Sequence, residues 1–322
     1  MIFDTHAHYD SRQFNEDRDE VLKYLHEPDN SDSCCNDAQN GEKSGHPGKS
    51  RVGRIINVGA DMKSSQTTLK LSEKYDYIYA AVGVHPDSAG ELVWCPEKCL
   101  QYIEADSKEE IKKDNPENEY EDAYKGITEE VCRKNTDLLK KLAEQDKVVA
   151  IGEIGLDYHW DVWPRDVQKE AFRWQWELAE ELNLPIIIHS RDAAEDTLKI
   201  VRENWAGKGK PQEMRAIMHC YSYSPEHAEE YLKMGLMFGI GGVVTFKNAK
   251  KLKEVVDMLP MDRILLETDC PYMAPDPFRG KRNDSGYLTY VAEKIAEIKG
   301  LDVKTVYDRT WENAERFFLF QS

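Results

Sequence analysis

The sequence contains no long hydrophobic run. None of its 322 residues falls in a stretch of about 18 consecutive apolar residues, and mean hydropathy is −0.68, so a membrane-spanning helix is excluded. A basic, apolar leader is also missing. The chain opens Met1-Ile2-Phe3-Asp4-Thr5-His6, which points to a protein with no secretory signal and a cytoplasmic location. Its seven cysteines are odd in number and scattered, so they form no disulfide framework and suit a reducing compartment. Positive charge is scarce: 43 Lys and Arg stand against 60 Asp and Glu, a net charge of −17. That balance excludes broad, nonspecific coating of nucleic acid, but not an enzyme that grips one phosphate locally. No glycine-rich fingerprint follows the first apolar run, which argues against a doubly wound dinucleotide-binding sheet. With 40% hydrophobic and 10% aromatic residues, the chain is rich enough in apolar groups to fold around a sizeable core.

What the sequence does have is rhythm. Eight short runs rich in β-branched and apolar residues lie at 1–6, 54–59, 77–85, 148–153, 185–189, 216–219, 237–244 and 264–269. Stretches of helical periodicity separate nearly all of them. Leu138, Leu139 and Leu142 mark a helix over 136–145. Trp174, Leu178 and Leu182 mark one over 165–182, with Pro164 where a first turn tolerates it, and Leu252, Val255, Val256 and Leu259 mark one over 250–259. Residues 286–320 read as two further helices. Strand and helix alternating eight times predict an α/β fold, a single (β/α)8 TIM barrel spanning 1–322. Two insertions interrupt it: 28–51 is polar and reads as a flexible loop, whereas 104–135 is a solvated acidic run, partly helical. Without them the chain is close to the about 250 residues of one barrel. Cys34, Cys35 and His46 in the first insertion lack the second paired motif that a metal knuckle needs.

Residues of the metal-binding type cluster at the ends of the predicted strands. His6 and His8, two apart on an extended segment, point to one side. Glu153, His189, His219 and Asp269 each end a later run. A lone histidine at a strand end is ordinarily a hydrogen-bonded or solvent-facing side chain, but six such groups on one face are not a coincidence. In a barrel these ends converge on the C-terminal mouth, where catalytic groups sit. Imidazoles with carboxylates suit Mg, Mn or Zn, and six donors exceed what one tetrahedral ion needs, so two divalent metal ions are expected. Arg191, two residues past His189, is suited to clamp a phosphate. Arg279, Lys281 and Arg282 follow the last strand and form a basic patch on the rim. Trp160 or Trp163 is placed to stack on a base, while Trp174 and Trp176 read as core. Cys220 and Cys270 adjoin donors without the setting of a nucleophile, and His26, His159 and His227 read as ordinary surface or helix residues.

The motifs Asp4-Thr5-His6-Ala7-His8, Gly83-Val84-His85-Pro86, Gly152-Glu153-Ile154-Gly155-Leu156-Asp157-Tyr158 and Ile188-His189-Ser190-Arg191-Asp192 occur in that order. His219-Cys220-Tyr221-Ser222, Glu267-Thr268-Asp269-Cys270-Pro271-Tyr272 and Arg279-Gly280-Lys281-Arg282-Asn283 follow. Together they resemble the TatD family of metal-dependent deoxyribonucleases, in the amidohydrolase superfamily, over nearly the whole chain except the insertions. The resemblance implies that His6, His8, Glu153, His189, His219 and Asp269 ligate the metals and that the substrate is DNA. It places His85 near the scissile phosphate. On this reading Glu153 bridges the ions, Asp269 orients or deprotonates the attacking water, and His85, Arg191 and Arg279 contact the phosphate. The 283–286 stretch departs from the family pattern in lacking a proline. The expected activity is cleavage of DNA phosphodiesters, as a 3′ exonuclease or at abasic sites, by a monomer that holds DNA only at the metals, with no membrane and no obligate protein partner. The alternatives are hydrolysis of a small ester, lactone or amide, and a non-catalytic role in protein export. Glu153 stands where a carbamate-forming lysine would serve the small-molecule branch, and this favours the nuclease.

Overall fold

The eight apolar runs become eight parallel strands. The computed structural model describes residues 1–27, 51–93, 127–206 and 215–318. The strands are β1 (Ile2–Ala7), β2 (Val52–Val58), β3 (Ile78–Val82), β4 (Val148–Asp157), β5 (Ile186–Arg191), β6 (Ala216–Met218), β7 (Met237–Ile240) and β8 (Ile264–Leu266). Among the described residues the helices are α1 (Arg18–His26), α2 (Met62–Lys74), α3 (Glu129–Ala143), α4 (Arg165–Glu181), α5 (Ala194–Ala206), α6 (Pro225–Lys233), α7 (Lys250–Met258), α8 (Leu288–Lys299) and α9 (Val303–Phe318). One eight-stranded sheet runs β1 to β8 in sequence order, and a parallel bridge between Ala7 and Cys270 returns its last strand to its first. Strand alternating with helix in this order is the expected (β/α)8 TIM barrel. Among the described residues no helix is long and apolar enough to cross a membrane.

Two compact units divide the chain. The first comprises Met1–Asn57, Cys220–Pro225 and Phe238–Ser322. Within it β1 pairs with β2, and β7 pairs with β8 in the register Phe238–Ile264 to Ile240–Leu266. Helix α9 is amphipathic: Val306, Thr310, Asn313, Ala314 and Phe317 recur at helical spacing and are buried. It brings Trp311 and Phe318 against Phe3 of β1, with ring centroids 5.5 and 6.2 Å away. Asn313 anchors the same helix by donating to the carbonyls of Met261 and Ile264, at 2.7 and 2.9 Å. Gly300 ends α8 in the left-handed region (φ 63°), as a helix C-terminus favours.

The second unit comprises Val58–His219 and Glu226–Met237. Its strands β3 to β6 pair in parallel and are almost wholly buried, which the run Ile186-Ile187-Ile188 anticipates. A capping box starts α2: Asp61 accepts from the Ser64 N–H, and the Ser64 hydroxyl accepts from the Asp61 N–H. Thr128 caps α3 by accepting from the Val131 N–H at 3.2 Å. That helix begins at Glu129, ahead of the expected 136, and so takes in the end of the acidic insertion. Residues 28–50 and 104–126 of the two insertions, with Cys34, Cys35 and His46, lie outside the described residues.

The strand ends differ from the apolar runs for identifiable reasons. β4 continues past Glu153 to Asp157, because after a register shift Gly155, Leu156 and Asp157 still pair with His189, Ser190 and Arg191 of β5. β3 stops at Val82, and His85 instead caps the 3-10 helix Pro86–Glu91. β7 stops at Ile240. Gly242 then passes so close to the next loop that a Cβ there would come 2.0 Å from the Met273 carbonyl oxygen, and Gly242–Thr245 turns into a 3-10 helix. β6 and β8 end before His219 and Asp269, which therefore stand on loops. Phe3 is 3% exposed and carries the contact between β1 and α9. Truncation by Phe3→Ala is expected to lower unfolding free energy by about 3–5 kcal/mol, read from denaturant midpoints at unchanged slope.

Candidate functional site

In the first unit the candidate donors gather where β1 and β8 end. His6 is fully buried, and its Nε2 lies 3.1 Å from Nε2 of His8, the two rings meeting edge to face. Asp269 Oδ1 stands 3.3 Å from His8 Nε2 and 3.9 Å from His6 Nε2. Two imidazole nitrogens and one carboxylate oxygen thus converge. Asp269 reaches them through a left-handed backbone (φ 58°), with its N–H donated to the His6 carbonyl at 2.9 Å. Beneath this trio sits Asp4, buried and absent from the candidates read from the sequence. Its Oδ1 accepts the N–H groups of His6 and Thr268, at 3.2 and 3.0 Å. Its Oδ2 accepts the hydroxyls of Thr268 and Ser285, both at 2.6 Å. Burial raises the Asp4 carboxyl to about pH 7 against the pull of those four hydrogen bonds. Asn283 donates to the carbonyls of Thr268 and Tyr272 at 2.9 and 2.7 Å, and Glu267 accepts the Cys220 N–H.

In the second unit Glu153 is the hub. It is 5% exposed. Its Oε1 lies 2.5 Å from His189 Nδ1, 3.6 Å from His219 Nε2 and 4.0 Å from His85 Nε2. On its other side His189 Nε2 donates to Asp157 Oδ2 at 2.9 Å. Asp157 Oδ1 in turn accepts the N–H groups of His159 and Trp160, which fixes the carboxylate. Burial alone would lower the His189 pKa, but Glu153 and Asp157 override it and raise it to about 10. His85 moves the other way, lowered by burial and by the charge of His189. The Asp87 N–H donates to His85 Nδ1 at 3.2 Å, so the His85 proton sits on Nε2. The ligand atoms of His85, Asp157 and His189 lie within 4.8 Å of one another, close enough for a metal ion.

The donor chemistry of both groups fits divalent cations. Buried and part-buried imidazoles and carboxylates lie close together in each group, and His189 already has the second-partner carboxylate that metal-binding histidines carry. Each of the six candidate ligands therefore stands in one of two converging groups: His6, His8 and Asp269, or Glu153, His189 and His219. Asp157 joins the second group through its bond to His189 Nε2, and its position in the Gly152–Tyr158 motif is the signal that could have singled it out. Arg191 is exposed, with its guanidinium 5.5 Å over the Trp160 ring. Arg279 is exposed too, 4.5 Å over Phe246.

Three expectations need correction. Trp163 cannot stack on a base: it is 1% exposed, donates Nε1–H to the Asp87 carbonyl at 3.1 Å, and covers Gly90, where a Cβ would meet the indole at 2.0 Å. Trp174 is only half-buried, unlike Trp176. Arg282 is not part of an open basic rim, because it forms a bidentate pair with Asp17 at 2.8 and 2.6 Å and donates to the Gln13 carbonyl.

The raised pKa of His189 has a measurable consequence. In metal-free protein the ring keeps its proton up to about pH 10, giving stability that is complete below 6.5 and lost as pH rises through 10. A cation needs the neutral ring, so cation binding at pH 8 is expected to release about one proton from this residue. Calorimetric Mn titrations in two buffers of different ionisation enthalpy count it. A proton count of zero, or one unchanged in His189→Gln, would contradict the assignment.

The chain matches the TatD related DNase family over residues 3–319. It is 41% identical over 318 residues, 99% of each chain, to an uncharacterized metal-dependent hydrolase, YabD, of Bacillus subtilis. It is 28% identical over 323 residues, 98% of this chain and 99% of the other, to the 3'-5' ssDNA/RNA exonuclease TatD of Erwinia tasmaniensis. Among solved structures, the TatD homologue YjjV of Escherichia coli superposes with a TM-score of 0.72 at 24% identity, covering 99% of this chain and 98% of that one. An uncharacterized amidohydrolase from Saccharomyces cerevisiae gives 0.70 at 18% identity, covering 98% and 99%. These two structures bear on the fold alone. The chain belongs to the TatD related DNase family of metal-dependent hydrolases.

Proposed function

We propose that this protein hydrolyses phosphodiester bonds of DNA, as a 3′ exonuclease or at abasic sites, with two divalent cations of Mg, Mn or Zn. The convergence of His6, His8 and Asp269 carries this reading, because a carboxylate beside two imidazoles can both ligate and take a proton. The relative named as an ssDNA/RNA exonuclease supports a nucleic-acid substrate. His6, His8 and Asp269 would hold one cation, and Glu153, His189 and His219 another. The number two rests on six donors, more than one tetrahedral ion uses. Bound there, the cations would neutralise phosphate oxygens and acidify water.

The side chains supply the remaining steps. Asp269 accepts the proton of the attacking water. His85, neutral with its proton on Nε2, donates to a phosphate oxygen. Arg191, parked over Trp160, and Arg279 neutralise the flanking phosphates. The net charge of −17 disfavours DNA binding away from this neighbourhood.

The test is turnover of 5′-labelled single- and double-stranded DNA, RNA and a panel of lactones and amides by Mn-loaded protein. Metal-dependent cleavage of DNA is expected, with little on the small esters. Asp269→Asn should lower turnover by about 10²–10⁴ while cation content is checked separately. Turnover surviving within a few-fold would remove Asp269 as the base. Activity confined to lactones would transfer the protein to small-molecule hydrolysis.

A further inference from the structure

Helix α4 buries two amides where an apolar residue would be expected. Gln168 and Gln175 are each 1% exposed and lie two helical turns apart on one face. Both use the same device. Gln168 Oε1 accepts the Asp157 N–H at 2.9 Å, and its Nε2 donates to the Asp157 carbonyl at 3.1 Å and the Trp163 carbonyl at 2.8 Å. Gln175 Oε1 accepts the Val84 N–H at 2.7 Å, and its Nε2 donates to the Val84 carbonyl at 3.0 Å. Each amide thus closes a ring with both backbone groups of a single residue. The two residues so held are not arbitrary. Asp157 grips His189 Nε2, and Val84 precedes His85, whose ring centroid stands 4.2 Å from that of His189. One helix face therefore sets the height of both neighbours of one imidazole.

We propose that Gln168 and Gln175 are positioning residues of the hydrolytic centre. Gln168 holds Asp157 so that it orients His189 toward a cation, and Gln175 holds His85 at the reacting phosphate. The inference rests on the reading of His189 as a cation ligand and His85 as a phosphate donor. It predicts that the two amides, alike in structure, have different effects. Loss of a partner behind a metal-binding histidine weakens metal affinity about 10–100-fold. Loss of alignment at a donor that binds no metal lowers turnover instead, by up to about 10²-fold.

Mn titration by calorimetry, turnover on single-stranded DNA and ¹⁵N-histidine spectra of metal-free protein separate the cases. Gln168→Leu is expected to weaken Mn binding about tenfold or more. Gln175→Leu is expected to leave Mn affinity within about twofold, shift the His85 ring resonances and lower kcat about tenfold or more. Asn313→Leu removes a comparable buried amide in the first unit. It should lower the thermal midpoint while leaving Mn affinity, kcat and His85 resonances unchanged. If the two glutamine variants behave as Asn313→Leu does, their role is only to satisfy backbone groups and the proposal is overturned. Should a Leu variant fail to fold, Gln168→Glu and Gln175→Glu, which keep the acceptor and lose the donor, carry the same comparison at smaller size. Absence of DNA cleavage by unmodified protein would overturn the substrate reading, while Mn affinity and the histidine spectra would still decide the role of the glutamines.

Discussion

A carboxylate with no solvent exposure and four hydrogen bonds holds the first unit together. Asp4 lies two residues before His6 and bonds both the N–H and the hydroxyl of Thr268, the residue before Asp269. This side chain thereby ties the strand that carries His6 to the loop that carries Asp269, beside the backbone bond from the Asp269 N–H to the His6 carbonyl. Burying such a group is tolerated only because every acceptor site is filled, with Ser285 supplying the last bond. Had an apolar residue occupied position 4, the loop after β8 would have lost the two bonds from Thr268 to β1, leaving the backbone bonds to the His6 carbonyl and the approach of Asp269 to His6 and His8.

The second unit solves the same problem without charge. Its hub, Glu153, is already a carboxylate among three imidazoles, and a further buried anion at the ends of β3 and β4 would compete for their protons. Neutral amides from α4 hold the backbone there instead, while Asp157 acts directly on His189 and the Asp87 carboxylate stands 3.5 Å from His85 Nδ1. Charge is spent on the chemistry in this half, and geometry is held by dipoles.

Much of this was legible in the sequence, for physical reasons that also mark where it stopped. Buried parallel strands are short and uniformly apolar, so they stand out, and the groups that end them are conspicuous by contrast. His6, Glu153, His189 and His219 were visible in that way. Asp4 was not, because a polar residue inside an apolar run gives no sign of its partners, and those of Asp4 lie 264 and 281 positions away. Gln168 and Gln175 were hidden for the same reason: glutamine is an ordinary helix residue, and only the fold shows that both face inward. Strand ends were misjudged where hydrogen bonding and hydrophobicity part company. β4 keeps its ladder through Asp157, while the segment before Asp269 exchanges its ladder for side-chain partners. Trp163 was misread because nothing in its neighbourhood in sequence announces Gly90, the residue that leaves room to bury it.

That last pairing carries an evolutionary consequence. The indole of Trp163 occupies the space that any side chain at position 90 would need. A larger residue at 90 therefore requires a smaller one at 163, whereas a reduced 163 by itself leaves a void beside the turn that follows His85. Steric room thus favours one order of change, the indole first, through an intermediate with a cavity beside the 3-10 helix that His85 caps. Lineages that keep the turn rigid have no downhill route away from the pair.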